Sequence, residues 1–351
     1  MKRISRDPEK FEVISLFNAI GQKRNLKIND KNSEKAFLES VSTSLTKSKN
    51  FPIILHGRRV ETMFAYVAAS LGRCLFVKQE DAGEIYTTDL NIRPPDYRVV
   101  LEDGTELFIE VKNCHKNSRG SYAYYIKAFD LKSLQSYAAL FEKALKISIY
   151  WSEWGIWTLL SPSELKVHGG LHSITLGDAT KVNEMVMIGD MHVGTTPPLS
   201  LRFVTDANQP RKIDDRGIVE FTIGSVELSC GGNVIQDEEE ERLAFYLMLY
   251  GNWPFSEPRA IIENNELLAI EFLAAPVEED LGQEFSLIGP ISTMIARRYN
   301  ELTAPEGQII TLTPQVEPDS LGMAIPKDYK GKQLRLFRFL QKPNYAQITG
   351  K

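Results

Sequence analysis

The chain is poor in the residues that staple small folds or bind soft metals. Its three cysteines, Cys74, Cys114 and Cys230, are widely spaced, odd in number and without a Cys-x-x-Cys pair. That excludes a zinc ribbon and fits a reducing cytosol. Long apolar runs are missing too: none reaches the roughly 18 residues of a membrane span, and residues 1–8 lack the apolar core of a signal peptide. A cytoplasmic protein with no membrane partner is expected. Nor is there an excess of positive charge. With 41 Lys and Arg against 46 Asp and Glu the net charge is -5, which argues against a nonspecific nucleic-acid coat but leaves room for a focused basic cleft. Collagen-like, coiled-coil and disordered signatures are absent. With 43% apolar and 25% charged residues the chain can build real cores, and its 351 residues suggest two or three domains.

What is present is concentrated in Pro94, Pro95 and Asp96, followed further on by Glu110, Val111 and Lys112. Residues 105–112 are rich in strand formers, which sets Glu110 and Lys112 on one face of a strand. Residues 97–102 read as a second strand, and Asp103-Gly104 between them is a hairpin signal. The loop type decides the chemistry. A two-residue loop at Asp103-Gly104 would set Tyr97 opposite Glu110 and leave Asp96 on the wrong face. A type I turn at Glu102-Asp103 followed by a left-handed Gly104 would set Leu101 opposite Thr105 and Asp96 opposite Glu110. The sequence predicts the bulged loop.

Two carboxylates then converge and suit Mg²⁺, with Mn²⁺ as a substitute, while water and a substrate phosphate complete the shell. The Val111 backbone carbonyl is a further candidate ligand. Such an ion would polarise a scissile phosphate and lower the pKa of a bound water, with Lys112 orienting that water or neutralising the pentavalent charge. The bland role for Glu110 and Lys112 is a solvated ion pair worth little to stability. Against it, Phe108 shares their face and Leu107, Ile109 and Val111 fill the other, so the strand reads as buried on both sides, where an acid needs a partner or a metal.

Asp96 after Pro95, with Glu110, Val111 and Lys112, resembles the signature of the PD-(D/E)XK nucleases. This restriction-endonuclease-like superfamily includes archaeal Holliday-junction resolvases and transposon end-cleaving nucleases. The order of the surrounding elements matches. Residues 57–72 place Val60, Met63, Phe64, Val67, Ala68 and Leu71 on one helical stripe, and residues 73–78 read as the first strand. Leu131, Leu134, Ala138, Phe141 and Leu145 recur at helical spacing, and residues 146–152 and 155–160 read as strands. The resemblance covers about residues 51–165. It implies an α/β nuclease core, a mixed central sheet flanked by helices in the order αβββαβ, and a Mg²⁺-dependent endonuclease acting on DNA. It also implies that Glu61, at the flank of the first helix, is a further catalytic residue and metal ligand. Basic groups nearby are candidate DNA contacts: Arg58 and Arg59 in the first helical turn, where the macrodipole disfavours cations, and Lys116, Arg119, Lys127 and Lys132, interleaved with Tyr122, Tyr124 and Tyr125.

Asp7 and Pro8 open like a helix and residues 33–40 suggest another, so residues 1–50 are expected to form a helical arm. Residues 166–172 read as a linker. His168, His172, Asp190 and His192 are set aside as a metal site, because Gly169-Gly170 removes the rigid spacing a helical His pair needs. Beyond lie strand-like runs at 216–224, 259–263, 266–273 and 333–340, with an Asn264-Asn265 turn and helices at 237–250 and 291–302. Residues 166–351 are therefore expected to be an α+β accessory domain that binds DNA, a partner or a ligand. The whole predicts a metal-dependent endodeoxyribonuclease of a mobile-element, recombination or repair, or phage-defence system, acting as a homodimer or with a partner protein of the same system. The alternative is a noncatalytic DNA-binding or assembly subunit that keeps a nuclease-like fold, but it would have no chemical need for Asp96, Glu110 and Lys112 together.

Overall fold

Two helices open the chain, α1 (Pro8–Arg24) and α2 (Lys31–Lys49), the second capped by the Asp30 carboxylate on the Asn32 and Ser33 amides. The computed structural model describes residues 1–4, 7–88, 91–115, 122–278, 282–323, 325–326 and 328–345. The next helix, α3 (Pro52–Ser70), starts at Pro52 rather than Gly57, because a proline in the first turn has no amide to leave unpaired. Its stripe of Val60, Met63, Phe64, Val67 and Ala68 is buried, each large side chain contributing roughly 1.5–3 kcal/mol.

There follow β1 (Cys74–Gln79), β2 (Tyr97–Leu101), β3 (Glu106–Cys114), β4 (Ala123–Lys127), α4 (Ala128–Leu140), β5 (Ala144–Trp151) and β6 (Ile156–Leu160). All but β4 of these strands form one mixed sheet, in the order β1-β2-β3-β5-β6. Within it β3 and β5 run parallel and the other pairs antiparallel. A parallel pair requires a crossover, which β4 and α4 supply. On one face α3 brings Met63 and Phe64 against Val99, Ile109 and Val111. On the other α4 brings Leu131 and Leu134 against Phe108, Ile147 and Ile149. Strands enclosed on both faces are apolar at almost every position, so a charge among them stands out.

The β2–β3 hairpin has the register of the bulged loop. Tyr97 faces Ile109 and Val99 faces Leu107; the Leu101 amide donates to the Thr105 carbonyl at 2.8 Å and the Gly104 amide to the Leu101 carbonyl at 3.0 Å. Gly104 is left-handed, with φ 82°. One step beyond Tyr97 and Ile109, Asp96 lies opposite Glu110, and side-chain alternation puts both on the α4 face with Phe108.

Four expectations change. The second core helix stops at Leu140 and Glu142 turns left-handed at φ 54°, so Leu145 belongs to β5. Residues 123–127, to which the sequence assigned no element, are a strand, with Tyr124 and Ile126 buried and Tyr125 and Lys127 exposed. The expected linker is a hairpin of β7 (Lys166–His168) and β8 (Leu171–Thr175), turned by Gly169 and Gly170 at φ 51° and 86°. Because β8 pairs with β4, that hairpin is continuous with the first half of the chain. Finally, residues 216–222 are not strand: the Asp214 carboxylate accepts the Arg216 and Ile218 amides and turns the chain there.

The remaining elements are α5 (Leu176–Lys181), β9 (His192–Thr195), β10 (Leu199–Thr205), β11 (Ile223–Cys230), β12 (Asn233–Val234), α6 (Glu238–Tyr250), β13 (Arg259–Glu263), β14 (Glu266–Ala274), β15 (Ser286–Pro290), α7 (Ile291–Thr303) and β16 (Leu336–Phe339). They add an antiparallel sheet β12-β11-β10-β14-β13 and a smaller one β15-β9-β16. The apolar cluster under α3 continues without a break through Leu243 and Leu247 of α6 to Met294, Ile295 and Tyr299 of α7. Among the described residues no helix is long and apolar enough to cross a membrane.

No atom lies within 4 Å of a Cβ added at Gly104, so a substitution there costs conformation rather than space. Gly104→Val is expected to lose about 1–2 kcal/mol, the penalty of a left-handed L-residue, and Gly104→Asn clearly less, since asparagine tolerates that region. Denaturant unfolding measures both; equal losses would contradict the left-handed loop.

Candidate active site

Pro94 and Pro95 end the β2 side of the hairpin, since neither has an amide to continue a ladder. The next ladder donor on β3, the Val111 amide, is taken instead by the Asp96 side chain, Oδ2 accepting at 2.6 Å. A strand residue's N–H and C=O face the same neighbouring strand, so the Val111 carbonyl is also directed to the edge where Asp96 stands.

Glu110 is completely buried. Its Oε1 receives the Lys112 ammonium at 2.5 Å and the Arg93 guanidinium at 2.9 Å, while Oε2 is shut off from solvent without a hydrogen-bond partner. Burial first, and then the Glu110 charge, push the Asp96 carboxyl up to about 7; Lys112 and the Val111 amide offset this only in part. An acid that resists ionising beside a second carboxylate calls for additional positive charge. Tyr124, buried on β4, has its hydroxyl pushed up by burial and then by the Glu110 charge, which marks it as a neighbour of the same carboxylate.

Glu61 stands apart. It projects from α3, on the other side of the sheet, and is held by Arg58 at 2.9 Å, although its charge still reaches Asp96. Among the described residues no group of three or more His, Cys, Asp or Glu is arranged to hold a metal ion; Asp96 and Glu110 are the two acids that the hairpin register sets face to face. That pair fits a hard divalent cation: two facing carboxylates, one bearing an unpartnered buried oxygen, beside a backbone carbonyl, with the other positions left to water and substrate.

Of the basic candidates, Arg58 is half-exposed and pairs with Glu61 and, at 3.5 Å, with Asp81. Arg59 is turned inward: it is buried and donates to Asn300 at 2.6 Å and Thr303 at 3.2 Å, joining α3 to α7. The expectation that Arg59 contacts DNA is thus corrected; its amphipathic position in the helix already aimed it at the core. Lys127 and Lys132 are exposed on β4 and α4, and Lys116 and Arg119 lie outside the described residues. Sequence reading passed over Arg93, although it immediately precedes the two prolines. It also missed Glu80, whose amide donates to the Asp96 carbonyl at 2.9 Å and whose carboxylate accepts the Tyr137 hydroxyl at 2.7 Å.

No protein-family model matches the chain, and no curated protein matches it. Among solved structures, a Holliday junction resolvase from Archaeoglobus fulgidus aligns with 38% of this chain and 96% of its own, at 17% identity and a TM-score of 0.29.

A carboxyl raised on folding binds more protons in the native than in the unfolded state between its ordinary value of 3.8 and about 7. Its contribution to stability therefore falls as pH rises through that window. In EDTA, Asp96→Asn is expected to melt a few degrees above the wild type at pH 8, the gap closing towards pH 4. Calorimetry at the two pH values checks this; a gap that does not change with pH would contradict the buried acid pair.

Proposed function

We propose that the chain is a divalent-metal-dependent nuclease that hydrolyses DNA phosphodiester bonds, with residues 51–165 carrying the chemistry and residues 166–351 governing where it acts. The observation that carries this reading is the acid pair Asp96 and Glu110, brought face to face by the Gly104 loop, with a buried Glu110 oxygen left without a partner.

In this reading Asp96 and Glu110 hold Mg²⁺ or Mn²⁺, with the Val111 carbonyl as a further ligand. Glu61 would join them from α3, where its Oε2 is paired with Arg58. When bound, the ion polarises the scissile phosphate and makes water a stronger nucleophile at neutral pH. Lys112, three-quarters buried and anchored to Glu110, is fixed where it can orient the attacking water and offset negative charge on the phosphorus oxygens. Asp96, held in place by the Val111 amide, would release its proton to solvent as the cation binds, leaving a carboxylate to face the ion. Exposed Lys127, at the end of β4, and Lys132, on α4, supply phosphate contacts. Cutting both strands of a duplex would call for two copies of the chain.

Purified protein incubated with linear, supercoiled and branched DNA is expected to cleave in Mg²⁺ or Mn²⁺ and not in EDTA. Asp96→Ala and Lys112→Ala should each lose roughly 100-fold or more, the usual effect of removing a charge-stabilising group, while still melting cooperatively. Nicking that continues unchanged in both variants removes this site, and the absence of binding to any nucleic acid removes the whole reading.

A further inference from the structure

Glu110 has more positive partners than one carboxylate needs. Lys112 and Arg93 converge on its single oxygen Oε1, at 2.5 and 2.9 Å. The two cations differ in freedom. The Lys112 side chain is 25% exposed, whereas that of Arg93 is 46% exposed. Arg93 rides on the irregular segment before β2, attached by its own amide to the Ser133 carbonyl of α4 at 3.2 Å. Its guanidinium thus enters from the solvent side of the site, with its anchored backbone at the edge of α4.

Charge counting gives this excess a use. With both ionised, as an ion-loaded site requires, Asp96 and Glu110 carry two negative charges, matched by those of Lys112 and Arg93. A divalent cation, a phosphodiester and an attacking hydroxide bring two positive and two negative charges, so the loaded site is again neutral, provided that Arg93 stays. What changes is which anion Arg93 faces, since a divalent ion on the free Oε2 of Glu110 would draw negative charge away from Oε1, where Arg93 is paired. A guanidinium keeps its charge at any working pH and matches the paired oxygens of a phosphate with its planar fork.

Resting on the nuclease reading, we propose that Arg93 is a further catalytic residue. It is the counter-ion of Glu110 in the resting protein, and it transfers to the nonbridging oxygens of the scissile phosphate when a divalent cation occupies the acid pair. Lys112 remains with the floor of the site; Arg93 is the mobile charge at its mouth. No covalent step is added, and the group moves without changing protonation.

Three measurements on the full chain, with Arg93→Gln and Arg93→Lys, test this. Without DNA, Mn²⁺ titrated into Arg93→Gln should bind about two- to fivefold more tightly than to the wild type, because a partly exposed competing ion pair has gone. With saturating Mn²⁺ and DNA, single-turnover cleavage by Arg93→Gln should fall roughly 100-fold or more, with partial recovery in Arg93→Lys. Affinity for DNA in EDTA should change by less than about threefold, since one phosphate contact among many is involved. Cleavage by Arg93→Gln close to that of an active wild type overturns the catalytic role and leaves the nuclease reading standing. If the wild type cleaves nothing, the nuclease reading fails and the metal titration still decides the counter-ion role: Mn²⁺ binding equal to or weaker than wild type in Arg93→Gln overturns it. Thermal melts of both variants exclude misfolding as the cause.

Discussion

Asp96 faces Glu110 because the turn between β2 and β3 holds three residues rather than two, and the third, Gly104, is left-handed at φ 82°. Side chains on a strand alternate, so a slip of one residue would send Asp96 to the α3 face and leave Glu110 and Lys112 alone on the α4 face. Everything chemical about the site follows from that single glycine-dependent register. The Val111 amide meets the Asp96 carboxylate, the Val111 carbonyl is directed to the same edge, and the two acids share one buried space.

Such an arrangement opposes stability. Glu110 is buried in a sheet closed by helices on both faces, where an uncompensated charge is costly. Lys112 and Arg93 compensate one of its oxygens and leave the other without a partner. Asp96 answers the same constraint by keeping its proton up to about 7. Elsewhere the chain compensates its buried acids more completely. Asp190 accepts both the amide and the hydroxyl of Ser292 at the start of α7, and Glu240 accepts three successive amides from 332 to 334. Incompletely satisfied acids collect at functional sites for this reason, and Glu110, with its unpartnered oxygen, differs from Asp190 and Glu240 in that respect.

Much of this was legible in sequence because it rests on local rules. The Glu102-Asp103-Gly104 loop, the Asn264-Asn265 turn at φ 50° and 63° and the apolar stripe of α3 each follow from a few neighbouring residues. What was not legible depends on partners distant in the chain. β4 looks like a tyrosine-rich loop until β8 supplies its ladder. Arg59 looks like a surface cation until Asn300 and Thr303 of α7 close over it. Arg93 is one arginine among many until the fold carries it to Glu110, and Glu61 resembles a ligand in position while its carboxylate is committed to Arg58. The apolar cluster beneath α3 likewise draws on α6 and α7, distant in the chain.

The central claim is that Asp96 and Glu110 share one divalent cation. Anomalous diffraction from crystals soaked in Mn²⁺ tests it most directly. The account predicts a single strong peak about 2.1 Å from a carboxylate oxygen of each residue, with Arg93 displaced from Glu110 Oε1. A peak held by other residues, or none at this pair under saturating Mn²⁺, would contradict it.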